Sequence, residues 1–361
     1  MKSSVNTYGF INAKLRAKIG NIRKKELEES LLKSGSLVEA IGILREHGYV
    51  QAADAFDKTG DLQMVELALL KEVISDYQSI KSLTSDYPKQ LVTTLTTKLE
   101  VENIKNIIRL WYSSAVHHRP ITYRTSYLIK EKIVNNINYV ALINAITFDN
   151  IVEALNNTWY ASVLQKFDFE TIARDGLFEL ETEIDKYWYS LYMDSCNGLS
   201  GDDKKVATKL ALTEINLKNL LMLVRYGWFH KMEETKLRNS LFPMGHIYSD
   251  KATIDYLKTN PKNRQPELLV REKFPILADK IKDITNNDNK ATMINQTRFI
   301  ERFLLEEKRK NFQRILGGKP FTIGIPLAYF YYREEQYYMI CGILSGKYYG
   351  VDSEKIKGIL S

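Results

Sequence analysis

A six-residue phrase occurs twice in this chain, as Asn103-Ile104-Lys105-Asn106-Ile107-Ile108 and as Asn216-Leu217-Lys218-Asn219-Leu220-Leu221, 113 residues apart. A period of that length means that one structural unit was copied, so the unit, not a single residue, constrains the fold. Two other stretches keep the step. Met64-Val65-Glu66-Leu67 lies over Leu177-Phe178-Glu179-Leu180, again 113 apart. Ser36-Leu37-Val38-Glu39-Ala40 lies over Asn150-Ile151-Val152-Glu153-Ala154, 114 apart, so one residue is gained or lost between the copies.

The unit fits a 361-residue chain three times. In the first copy Ile104, Ile107, Ile108 and Trp111 fall at i, i+3, i+4 and i+7, one apolar stripe of a helix. Leu217, Leu220, Leu221 and Val224 fill the same places in the second. Ile340, Ile343 and Leu344 repeat the first three steps near the C-terminus, with Lys347 at the fourth and Met339 where Asn103 and Asn216 stand. Three helical repeats are expected, over 1–118, 119–240 and 241–361, the third diverged and carrying an insertion within 258–295.

Helix signals dominate the rest. Ser36 with Glu39, and Asn150 with Glu153, read as capping boxes. Pro88 suits the first turn of a helix running to about Ser114, ended by His117-His118-Arg119-Pro120. Glu179 to Met193 reads as another helix, and Asn197 to Gly201 as a loop, after which Asp202 caps the helix with the second phrase. Arg298–Leu316 is helical, and Pro326 opens a last helix running to about Ser345, with Gly346 as its C-cap. The fold class is all-α, with eighteen or so helices in three similar bundles.

No segment offers the roughly 18 apolar residues that a membrane helix needs; the nearest, 139–148 and 323–332, are too short. The opening has no apolar signal core, so secretion is not expected. Cys196 and Cys341 have no metal-ligand or redox spacing and read as reduced thiols. The net charge is +7, which permits an acidic partner without establishing nucleic acid. The basic clusters Lys14–Lys25 and Lys308–Arg314 have helical spacing and read as solvated faces.

Catalytic patterns are missing. His47, His117, His118, His230 and His246 have no partner at zinc spacing. Gly342-Ile343-Leu344-Ser345-Gly346-Lys347 is one residue short of a phosphate loop, has Tyr348 where a small hydroxyl is needed, and falls at a helix end, whose dipole repels phosphate. Asp202-Asp203 has no second acidic site and reads as a helix cap. Neither a catalytic residue nor a cofactor or metal site is expected. The 22 tyrosines, seven of them crowded between Tyr329 and Tyr349, suit core and partner contacts. Asn is a poor helix former, so its repetition at Asn103, Asn106, Asn216 and Asn219, around Lys105 and Lys218, needs a reason. A hydrogen bond across to a neighbouring helix is one, and a partner contact is another.

The chain opens Tyr8-Gly9-Phe10-Ile11-Asn12-Ala13-Lys14-Leu15-Arg16-Ala17, carries the two Asn-[Ile/Leu]-Lys-Asn helices with Glu100 three places before Asn103, and closes Tyr331-Tyr332-Arg333-Glu334-Glu335 and Gly346-Lys347. This set resembles the C subunits of the bacterial and archaeal V-type (A-type) rotary ATPases, counterparts of the eukaryotic d subunit. Thr213 departs from the acid of that pattern, with Glu214 one place late. The resemblance covers essentially the whole chain. It implies a funnel of three helical bundles with pseudo-threefold symmetry and no active site. It implies a single-copy, non-catalytic rotor adaptor on the cytoplasmic face of the membrane, with no span of its own. The adaptor would join the membrane ion-carrying proteolipid ring to the central stalk subunits and transmit torque for H⁺ or Na⁺ transport coupled to ATP synthesis or hydrolysis. No nucleic acid is expected as a partner. The other reading is a helical scaffold binding peptides or RNA, disfavoured because such repeats run to roughly 34–47 residues.

Overall fold

The computed structural model describes residues 4–271, 275, 278, 279 and 290–360. Among them there are nineteen α-helices and no strand. Packing divides the chain into two compact units, 1–184 with 319–361, and 185–318. These units and the three expected repeats divide the chain differently. The expected insertion falls partly outside the described residues.

The first unit starts with α1 (Ser4–Ile22), α2 (Glu26–Lys33), α3 (Leu37–Glu46), α4 (Val50–Thr59), α5 (Leu62–Ser82) and α6 (Asp86–Ala115). A 3₁₀ turn at Thr122–Tyr127 follows, then the short helices α7 (Tyr139–Ile143), α8 (Phe148–Ala154), α9 (Trp159–Leu164) and α10 (Phe169–Asp175). Helix α11 (Phe178–Gly198) runs across the division. The second unit continues with α12 (Gly201–Met222), which passes into a π-helical stretch at Leu223–Phe229, then α13 (Glu234–Ser240), α14 (Gly245–Ser249), α15 (Lys251–Lys258), α16 (Pro266–Val270) and α17 (Lys290–Leu316). Helices α18 (Gly324–Tyr348) and α19 (Ser353–Leu360) belong to the first unit again.

The two ends of the chain meet in the first unit. Helix α18 packs on α1, α2 and α5. Its first ten residues, Gly324 to Arg333, are all buried, as expected of a helix apolar on every side. Ile340, Ile343 and Leu344 join Leu31, Leu44, Val65 and Leu69 in one core. The second unit has its own core, in which Leu220, Leu223 and Val224 pack with Leu237, Leu241, Ile247 and Leu257.

Several local expectations are corrected. Glu39 does not close a capping box on Ser36: its Oε2 accepts from the N–H of Gly35 instead, while the Ser36 Oγ accepts from Glu39 N–H at 3.2 Å. Asn150 is not an N-cap, because Thr147 starts the helix and Asn150 is its reciprocal partner three residues on. The expected loop from Asn197 to Gly201 shrinks to Leu199 and Ser200, and Ser200, not Asp202, stands at the N-cap of α12. Gly346 is not a C-cap either. It lies inside α18, where a Cβ would come within 2.5 Å of Ile356 Cδ1 on α19. The left-handed residue that ends the helix is Gly350, φ +66°, with Val351 N–H bonded back to Gly346 O.

Candidate functional site

The polar residues of the repeated phrase are placed by the long helices α6 and α12. Asn103 is buried on α6, and its side chain exchanges two hydrogen bonds with the main chain of Ile129: Nδ2 donates to Ile129 O at 2.9 Å and Oδ1 accepts from Ile129 N–H at 3.0 Å. One turn earlier Glu100, fully buried, accepts from the N–H groups of Val134 and Asn135, both at 2.9 Å, from the Asn135 side chain, and from Tyr160 OH at 3.1 Å. Together they hold the non-helical stretch 128–135 against α6. A buried carboxylate is tolerable there because its oxygens are fully occupied by donors.

Helix α12 does the same work with asparagine alone. Asn219 Nδ2 donates to Phe242 O at 3.0 Å, and its Oδ1 accepts from Phe242 N–H at 2.8 Å. Asn216 Oδ1 accepts from Ile247 N–H at 3.0 Å, and its Nδ2 donates to His246 Nδ1 at 2.8 Å. Gly245 makes room for this: φ is +78°, and a Cβ would sit 2.4 Å from Asn216 Oδ1. Glu214, the displaced acid, accepts instead from Tyr189 OH at 3.1 Å.

The remaining members of the phrase behave differently. Asn106 is exposed and accepts from Arg109 Nη1 at 2.9 Å, while Arg109 grips Glu181 with two further bonds. Lys105 is buried and pairs with Glu102 at 2.7 Å. Lys218 places its ammonium 5.3 Å from the centre of the Tyr189 ring. The expected asparagine contact was to a neighbouring helix. Asn216 makes such a contact, to His246 and Ile247 of α14, whereas Asn103 and Asn219 clip the main chain of a segment that returns 26 and 23 residues later.

A fourth tie was not singled out in the sequence. Asn12, in the opening motif, donates from Nδ2 to Pro320 O at 2.8 Å and Thr322 O at 2.9 Å, fixing the approach to α18. Two buried arginines complete the polar framework. Arg333, in the closing motif, donates from Nε to Asp76 at 3.0 Å and from Nη1 to Gln336 at 3.1 Å, and Lys18 meets the other Asp76 oxygen at 2.7 Å. Burial alone would raise the Asp76 carboxyl, but the hydrogen bonds from Lys18 and Arg333 outweigh it and hold the group below its ordinary value. Arg333 lines a cleft of about 420 Å³ together with Lys18, Tyr49 and Tyr329. Arg264 donates to four carbonyls, those of Gly227, Met232, Tyr256 and Leu257. It anchors the π-helical stretch, whose Leu223 carbonyl is taken by Tyr256 OH at 3.1 Å. Backbone carbonyls carry no sequence signal, which is why these ties had none.

No group of three or more His, Cys, Asp or Glu among the described residues is arranged to hold a metal ion. No helix among them is long and apolar enough to cross a membrane. Burial pushes both thiols, Cys196 and Cys341, up to about 12. What the arrangement does chemically is to bind backbone to side chain at buried points, fixing the segments that pack on the long helices.

The family model described as ATP synthase (C/AC39) subunit matches residues 11–359. An A-type ATP synthase C subunit of Methanocaldococcus jannaschii is 21% identical over 358 residues, 98% of this chain and 86% of that one. The Methanosarcina barkeri protein of the same name is 22% identical over 364 residues, covering 99% and 93%. The match to the Methanococcoides burtonii protein of that name, 25% identical over 228 residues, spans 62% of this chain and only 60% of the relative. With 349 consecutive positions inside one family model, the chain belongs to the ATP synthase (C/AC39) subunit family.

Proposed function

We propose that the chain is the non-catalytic rotor adaptor of an A/V-type ATP synthase, seated between the membrane proteolipid ring and the central stalk and carrying torque between them. The family match over 11–359 carries this reading, since it spans both ends and the repeats between them. The archaeal relatives, named as C subunits of A-type ATP synthases, support it. The polar framework supports it as well. An adaptor needs stiffness, and closely packed long helices tied at buried points provide it. Three repeats, 1–118, 119–240 and 241–361, would form a pseudo-threefold funnel. Each contains two long consecutive helices: α5 and α6, α11 and α12, α17 and α18. The adaptor is present as a single copy in a hetero-oligomer, on the cytoplasmic face, and uses no cofactor or nucleic acid.

The test is reconstitution of the complex in vesicles with and without this chain. With it, ATP hydrolysis drives ion uptake. Without it, hydrolysis by the head continues but uptake is lost. Undiminished uptake in its absence overturns the proposal.

A further inference from the structure

We propose that the cleft along residues 136–158 is a docking groove for an extended, uncharged polypeptide segment of a partner protein in the complex; this rests on the adaptor reading. The cleft encloses about 800 Å³ and is lined by six asparagines, Asn136, Asn138, Asn144, Asn150, Asn156 and Asn157, with Glu153 as its single charged side chain. On a chain with net charge +7, a groove without Lys or Arg is ill suited to phosphate. Nucleic acid and anionic lipid both require such cations, so a neutral polypeptide is the complementary occupant.

The recognition chemistry is already in use inside the molecule. Asn103 and Asn219 each pair their amide with both main-chain groups of one residue. In the groove the same side chain faces outward. Three of the six are oriented by local bonds: Asn138 Oδ1 accepts from Ala141 N–H, Asn144 Nδ2 donates to Val140 O, and Asn150 Oδ1 accepts from Thr147 N–H. That leaves Nδ2 of Asn138 and Asn150, and Oδ1 of Asn144, for the main chain of a ligand. Ile146, in the lining, is 82% exposed and offers apolar contact to one face of an extended strand.

The groove is preorganised from below by α6. Trp111 Nε1 donates to Ile146 O at 3.0 Å, and Glu100 holds the N–H groups of Val134 and Asn135 just upstream. A groove fixed before binding loses little freedom on docking.

The experiment uses the full chain in the assembled complex, with a photo-crosslinking residue at position 144 or 157, and separately the triple variant Asn138→Asp, Asn150→Asp, Asn157→Asp, which keeps the local acceptors at 138 and 150. Expected are a crosslink to an uncharged segment of a partner polypeptide and retention of the triple variant weakened about tenfold or more, since carboxylates repel main-chain carbonyls and lose the donors. Helical content by circular dichroism checks that the triple variant folds; if it does not, the crosslinks decide. Assembly without any crosslink from either position, or a crosslink to lipid or nucleic acid, overturns the groove and leaves the adaptor reading standing. Failure of the unsubstituted chain to join ring and stalk overturns both.

Discussion

Asn103 and Ile129 are joined by a two-way hydrogen bond, side-chain amide to main-chain amide, at 2.9 and 3.0 Å in a buried setting. Replacing Asn103 with Leu strands both the N–H and the C=O of Ile129 away from water. Each stranded group costs about 1–3 kcal/mol, so we expect a loss of roughly 2–6 kcal/mol. The Ile129 amide then exchanges with deuterium much faster, while amides in the 185–318 unit do not change. Asn106→Leu, at an exposed site, is expected to cost less than about 0.5 kcal/mol.

Gly346 and Ile356 meet where α18 and α19 cross. A methyl group at 346 would fall 2.5 to 2.6 Å from two Ile356 carbons. Gly346→Ala is expected to cost about 1–3 kcal/mol through overpacking. Adding Ile356→Val recovers part of it, because the Cδ1 methyl that the new Cβ meets is removed. Thermal melts of the two single variants and the pair measure the coupling.

Acidity should act in opposite senses at Glu66 and Asp76. Burial raises the Glu66 carboxyl, an effect that its bond from Ser345 only partly offsets. A raised carboxyl contributes stability that is present below its unfolded value and lost as pH rises through the folded one. Glu66→Gln is therefore more stable than the parent at neutral pH, and the gap closes on acidification. Asp76 is depressed, so its contribution is present above the unfolded value and lost as pH falls through the folded one. Asp76→Asn is destabilising at neutral pH and approaches the parent in strong acid. Urea midpoints across pH 3 to 8 check both signs.

Arg264 serves four carbonyls at once. Lysine has one compact ammonium and cannot reproduce a planar fork. Arg264→Lys is expected to cost about 2–4 kcal/mol. The loss should be local: the amides just past the π-helical stretch that bond back to its carbonyls, His230 N–H to Arg225 O and Met232 N–H to Tyr226 O, lose protection first.

The long helices were legible because their apolar stripes recur every three and four residues. Ile104, Ile107, Ile108 and Trp111 are all buried, and so are Ile340, Ile343 and Leu344. The asparagines could be singled out because Asn is out of place in a helix, but their partners could not. A main-chain N–H at Ile129 or Phe242 looks like any other in the sequence. The same blindness hid Asn12 on Pro320 and Arg264 on its carbonyls. Letters also overstate likeness: Asn106 and Asn219 occupy equivalent places, yet one supports a surface arginine and the other a buried turn. Gly346 was misread because a glycine near a helix end suggests a cap, whereas here it admits a crossing helix.

The central claim is that this chain turns with the rotor. A bead attached through a cysteine introduced on an exposed helix face of the chain, in surface-immobilised complex, reports this directly. On addition of ATP the bead should rotate in step with the stalk. A bead that stays fixed while the stalk turns would place the chain on the stationary side and contradict the adaptor role.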